Sequence, residues 1–287
     1  MRWQGQRQSG NVEDRRGGGP VRPGMAIGCG GLLMVILLAV LTGQDPMQLL
    51  QQMGGDSMTQ SSEPSAVPGG EAADDQTKDF METVLASTED VWNDLFPRMG
   101  RSYQEPRLVL FSGQVQSACG ITSSAVGPFY CPADGQVYLD ESFFQDLDRR
   151  FGAPGDFAQA YVVAHEVGHH VQNLLGISEQ VMAMQQRTDQ QGANELSVRM
   201  ELQADCLAGV WGFHANQRQR MLEPGDAEEG LRAAAAIGDD RMQRMSTGWV
   251  QPESWTHGSS EMRVEWLNRG LESGDPEACD TFGSMRR

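Results

Sequence analysis

His165, Glu166 and His169 stand at HExxH spacing inside a stretch with helical periodicity, and no other segment constrains the fold of this chain as strongly. On a helix, residues four apart lie one above the other, so the two imidazoles can address one metal ion. Glu166 lies about 100° round the helix and can reach a water on that ion. Pro154-Gly155-Asp156 reads as a turn with Asp156 as N-cap, and Gly176 follows Leu174-Leu175 as a C-cap, which predicts a helix over residues 157–175. Val163, Val167, Val171 and Leu174 widen its apolar face and predict burial. Buried ionisable groups there need hydrogen bonds or a metal, or they cost several kcal/mol. His170 points away from the other two and reads as a hydrogen-bonded core residue.

Catalytic zinc takes three protein ligands and keeps a fourth position for water. The next strong helical pattern, roughly 195–218, puts Glu201 and Asp205 four residues apart on one face. Glu201 would complete a His₂Glu set for one catalytic zinc ion. Asp205 would accept the free ring N–H of a ligating histidine and so fix its orientation. Ala204, Ala208, Gly209 and Gly212 leave this helix thin enough for a close helix–helix approach.

Together with Ser117-Ala118-Cys119-Gly120, Val126-Gly127-Pro128-Phe129-Tyr130-Cys131, Val137-Tyr138-Leu139-Asp140, His257-Gly258-Ser259-Ser260 and Cys279-Asp280-Thr281-Phe282, these residues resemble the gluzincin type of zinc peptidase. Specifically, they resemble the bacterial "putative neutral zinc metallopeptidase" family, over about residues 108–282. The Glu261-Met262 and Trp266-Leu267 pairs depart from that family's pattern. The resemblance implies a membrane-anchored peptidase that hydrolyses peptide bonds, with zinc lowering the pKa of a water toward about 7 and polarising the scissile carbonyl. Glu166 would be the general base and then deliver its proton to the leaving amine. The developing oxyanion needs a further donor, and His257, on a Thr256-His257-Gly258 turn, is assigned to it. The alternative for His257 is a loop histidine ahead of Ser259 or Ser260 as N-cap. Tyr161, one turn before His165, is a second donor candidate and also a core residue. A different class of function is a catalytically inactive, zinc-containing scaffold that binds peptides or partner proteins outside the membrane. Glu166 favours the enzyme, because a pure binding site has no use for a base.

Two β-prone runs, 107–111 and 136–140, are expected to build a small sheet, with the second as the exposed edge beside which a peptide could lie as an added strand. Apolar residues at helical spacing predict further helices over 77–96, 227–245 and 261–271. The fold class expected is α+β and predominantly helical, a zincin-like domain with a small sheet, preceded by a single transmembrane helix.

Residues 1–24 carry five arginines against Glu13 and Asp14 and read as a disordered, basic cytoplasmic tail. Residues 25–41 are free of charge and, at 1.5 Å per residue, give roughly 26 Å of helix, enough to anchor the chain in a lipid bilayer. The charge asymmetry puts the N-terminus in the cytoplasm and the catalytic domain outside. The rival, a cleaved signal peptide, lacks an Ala-x-Ala site, and Cys29 precedes most of the apolar run, which argues against a lipoprotein. Residues 42–75, rich in Gln, Gly, Ser, Pro and Met, read as a flexible linker, and 76–287 as one peptidase domain. Net charge is −17, and residues 1–24 contribute +3, so the remainder carries −20 and excludes nucleic acid as a partner. Outside the apolar run stand Cys119, Cys131, Cys206 and Cys279, disulfide candidates in an oxidising compartment, with three pairings open and no CxxC spacing to favour thiolate ligation.

Overall fold

The computed structural model describes residues 1–16 and 75–283. In chain order they form strand β1 (Val12–Asp14), helix α1 (Gln76–Arg98), strands β2 (Arg107–Phe111), β3 (Gln114–Ser117), β4 (Gly120–Ser123), β5 (Phe129–Cys131) and β6 (Gln136–Asp140), then helices α2 (Ser142–Arg149), α3 (Asp156–Leu174), α4 (Ile177–Gln185), α5 (Gln190–Gln219), α6 (Asp226–Ala236), α7 (Asp239–Thr247) and α8 (Ser260–Ser273). The architecture is α+β and mainly helical. Among the described residues no helix is long and apolar enough to cross a membrane. The expected span 25–41 and nearly all of the linker lie outside the described residues.

Helix α3 lies at the centre because it is apolar almost all round: Phe157, Ala160, Tyr161, Val163, Val167 and Val171 are each at most 1% exposed. It begins at Asp156, with Gly155 at φ 125° as its cap. Asp156 is therefore in the first turn rather than at the N-cap, where its charge suits the positive helix end. Helix α5 starts on Asp189, whose carboxylate accepts from Gly192 N–H at 2.9 Å. α3 and α5 meet at Gly168, where a Cβ would come within 2.9 Å of the Ala204 carbonyl oxygen. α5 and α8 are pressed still closer: a Cβ on Gly270 would lie 2.0 Å from the Cys206 carbonyl. Disulfides Cys119–Cys131 and Cys206–Cys279 tie the β3–β4 turn to β5 and the C-terminal turn to α5.

The four-stranded sheet has the order β1-β2-β6-β5, parallel except for β5, and β3 and β4 form a separate hairpin. β6 is thus an interior strand, not the expected exposed edge. Its Val137, Tyr138 and Leu139 are buried between neighbours on both sides, and the edge beside α3 is β5. The helix expected over 227–245 is two helices, α6 and α7, broken at Gly238, where a Cβ would lie 2.4 Å from the Ser260 backbone nitrogen. The helix expected over 261–271 is α8, capped by Ser259, whose hydroxyl accepts from Met262 N–H.

The expectation of a disordered tail fails for residues 1–16. They pack with the rest of the described residues in one compact unit, with β1 as a parallel edge strand on β2. Polar, Gly-punctuated composition there does not mark disorder, because the polar groups are used: the Met1 ammonium is 2.9 Å from the Asp156 carboxylate and 3.3 Å from that of Asp226, and Arg2 pairs with Glu223.

Candidate functional site

Helix α3 aims His165 and His169 at α5, and the close α3–α5 approach at Gly168 brings Glu201 to meet them. His165 Nε2 is 3.1 Å from one Glu201 carboxylate oxygen and His169 Nε2 is 3.4 Å from the other. One ligand atom from each of the three residues lies within 4.8 Å of the others. The Nδ1 atoms are committed elsewhere. His165 Nδ1 donates to Asp205 at 2.8 Å and His169 Nδ1 to the Gln172 side-chain carbonyl at 2.9 Å, so both Nε2 atoms face the Glu201 carboxylate, as proton donors to it without a metal and as lone-pair donors to a metal held among them. Two imidazoles with fixed tautomers and one carboxylate suit zinc.

The electrostatics follow from burial and pairing. Burial alone would lower the pKa of His165, but the Asp205 and Glu201 carboxylates outweigh it and raise the value to about 10. His169 is raised as well, burial being overcome mainly by Glu201. Burial would raise Glu201, yet the two histidines hold it well below the carboxylate range. Asp205 is pulled to about 2 against its burial, first by Arg263 and then by His165. Glu166 behaves differently: burial pushes its carboxyl up, with only partial opposition from the two histidines. A carboxyl raised in this way is suited to carry a proton between two partners.

A cavity of about 420 Å³ opens on these groups, lined by His165, Glu166, His169, Glu201, His257 and Arg263 together with apolar side chains that include Phe129, Phe143 and Phe151. His257 lies on it as expected, in the loop before α8. Asp239 fixes that loop: one of its oxygens accepts from the backbone N–H groups of Thr256, His257 and Gly258 at 2.8, 2.6 and 3.0 Å. Its other oxygen is 3.2 Å from His257 Nδ1. This hydrogen bond raises the His257 pKa against its burial. Tyr161 also lines this cavity, but its hydroxyl is engaged. Its hydroxyl donates to Asp205 at 2.5 Å and it is 1% exposed. His170 is a core residue, its Nε2 donating to the Gln104 carbonyl at 2.6 Å and its Nδ1 taking the Tyr130 hydroxyl at 3.1 Å.

The family model described as "Putative neutral zinc metallopeptidase" matches residues 1–282. The chain belongs to that family. The "Uncharacterized protein YpfJ" of Escherichia coli is 51% identical over 289 residues, covering 99% of each chain. The "Uncharacterized protein Rv2575" of Mycobacterium tuberculosis is 43% identical over 264 residues, covering 86% of this chain and 85% of its own. No solved structure matches. The family implies zinc, and His165, His169 and Glu201 are the residues here whose geometry fits it.

Three residues of this candidate site were not singled out from the sequence. Arg263, from α8, is 2% exposed and grips the Asp205 carboxylate through Nε at 2.8 Å and Nη2 at 2.9 Å. It also donates to the Tyr161 hydroxyl at 3.1 Å. Gln172 is fully buried and holds His169 while donating to the Met200 carbonyl. Asp239 is the third. A charged residue within an otherwise amphipathic helix was the available signal for Arg263; for Gln172 its place on the apolar face of α3, three residues after His169, could have served.

Proposed function

We propose that this protein is a zinc-dependent peptidase whose attacking water is deprotonated by Glu166. The observation that carries this reading is the convergence of His165 Nε2, His169 Nε2 and a Glu201 oxygen within 4.8 Å, with Glu166 beside them on the same cavity. Zinc bound by these three residues supplies a Lewis acid for a water and for the scissile carbonyl. Glu166, in the turn of α3 that bears His165, takes the water's proton and passes it to the departing amine, and its raised pKa supports both steps. His257, held through Nδ1 by Asp239, presents Nε2–H to the oxygen on which negative charge develops. Asp205 and Gln172 hold the two ligand rings in the tautomer that leaves Nε2 unprotonated.

Substrate is best aligned along β5, the sheet edge next to α3, where Phe129 and Tyr130 line the same cavity as the histidines. An extended peptide there would gain main-chain hydrogen bonds that do not depend on its side chains. The two disulfides support folding in an oxidising compartment. A non-hydrolytic peptide-binding scaffold would need the metal set but not the buried base. The Glu166→Gln variant separates the two readings: it should keep one zinc per chain and lose cleavage of an unfolded casein-type substrate by at least about 100-fold. Cleavage at the wild-type rate by zinc-loaded Glu166→Gln protein would rule out the proposed mechanism.

A further inference from the structure

We propose that His170 and Asn173, on α3, are positioning residues: together they clamp the Tyr130 hydroxyl and so set the height of the edge strand β5, and of a peptide lying along it, over the candidate metal ligands His165 and His169. This role rests on the reading of β5 as the strand that receives substrate. It accounts for the histidine of the α3 motif that is neither a candidate ligand nor part of the cavity lining.

β5 is three residues long and pairs with β6 at the edge of the sheet. So short a strand has few ladder bonds, and its side chains supply the rest of its hold. Phe129 stacks on Tyr138 of β6 with ring centroids 4.8 Å apart, and Cys131 is bonded to Cys119 in the β3–β4 turn. These two ties run to other strands. Tyr130 supplies the tie to α3, the helix that carries two of the three candidate ligands, and its ring lines the cavity beside them.

Two residues one turn apart on α3 saturate the Tyr130 hydroxyl. His170 Nε2 is 2.6 Å from the Gln104 carbonyl, which can only accept, so Nε2 carries the ring proton and Nδ1 keeps the lone pair that takes the hydroxyl at 3.1 Å. Asn173 Nδ2 donates to the same oxygen, also at 3.1 Å. The Tyr130 and His170 rings meet edge-on with centroids 5.4 Å apart. His170 is 4% exposed, so breaking the pairing would leave a desolvated polar group without a partner, and the strand is held to one geometry. His169 and His170 are consecutive on a rigid helix. The clamp therefore passes the position of the ligand rings directly to the backbone of β5. Precision there has consequences, because a misplacement of about 1 Å in a bound substrate can cost on the order of 100-fold in rate.

The test uses the zinc-loaded full chain carrying Glu166→Gln, so that binding is read without cleavage, and a fluorescein-labelled tripeptide and nonapeptide from one stretch of casein, followed by anisotropy. In this parent the nonapeptide, long enough to pair along β5, should bind more tightly than the tripeptide. Tyr130→Phe removes a single oxygen atom and should cut that gain with length about 10-fold while zinc affinity stays the same. His170→Leu should act alike, and the double variant should lose no more than Tyr130→Phe alone, since both changes break one bond. An absence of any gain with length in the parent, an undiminished gain in Tyr130→Phe, or losses that multiply in the double variant would overturn the proposal. A fall in zinc affinity as large as the fall in peptide affinity would also overturn it, because α3 would then have loosened as a whole. The peptidase reading fails separately: no cleavage by the protein with Glu166 restored, beside an intact clamp effect on binding, removes the peptidase and keeps the clamp. Cleavage beside an undiminished gain in Tyr130→Phe does the reverse.

Discussion

Replacing Arg263 by methionine isolates how much of the candidate metal centre depends on a residue that supplies no ligand atom itself. The guanidinium is 2% exposed, its partner Asp205 is fully buried, and two charge-assisted hydrogen bonds of 2.8 and 2.9 Å join them. Methionine fills much of the same volume without charge, so the main effect is a carboxylate left buried without its cation. Removing one partner of a buried pair costs about 3–5 kcal/mol. Tyr161 and His165 still donate to Asp205, which sets the expectation at the lower end, about 3 kcal/mol. At about 2–4 °C per kcal/mol for a domain of this size, the Tm of zinc-free protein should fall by about 6–12 °C. Zinc affinity, measured by competition with a chromophoric chelator, should fall about 10- to 100-fold as Asp205 loses its hold on His165. Neutralising both partners tests the cause. In the double variant Arg263→Met with Asp205→Asn no unpaired charge remains, and part of the lost stability should return. A Tm shift below about 3 °C for the single variant, or a double variant no more stable than Arg263→Met, would refute the argument that the pair is electrostatically coupled.

Other positions give independent checks. His257 is raised by Asp239, so if its protonated form is the donor, kcat/KM should fall as pH rises through a value above the 6.5 of free imidazole, and Asp239→Asn should move that alkaline limb to lower pH; superimposable profiles would exclude the pairing. The same raised pKa means that any stability His257 adds is present below the unfolded value and fades as pH rises through the folded one. Cys206–Cys279 closes 73 residues and Cys119–Cys131 closes 12, so removing the first pair by alanine substitution should cost about 4 kcal/mol and the second about 3, read from urea midpoints; equal midpoints with and without reductant would contradict this. Gly270→Ala puts a methyl group 2.0 Å from the Cys206 carbonyl and 2.8 Å from Val210 N, which neither backbone can yield locally, and should cost about 3 kcal/mol or more; a wild-type urea midpoint would mean that α5 and α8 are not in contact there.

What sequence could reveal about the site was the part carried by one covalent rhythm. His165 with His169, and Glu201 with Asp205, each sit four residues apart on a helix, so their shared face follows from helical geometry alone. That α3 and α5 would meet at all was suggested only by small residues, and the Gly168–Ala204 contact is where that suggestion becomes geometry. The remaining members, Gln172, Asp239 and Arg263, are defined by which helix docks on which, and nothing in their neighbours along the chain states that. Edge identity is of the same kind. β6 has the β-branched and aromatic content of a strand, but whether it is an edge depends on β5 pairing on one side and β2 on the other. The N-terminal arm misleads for a deeper reason. Arg7, Ser9 and Asn11 look like unstructured polar chain because polarity was read as a preference for water, whereas their polarity answers a single buried acid, Glu89, eighty residues away. Composition measures how many polar groups a segment has, not whether a buried charge elsewhere requires them.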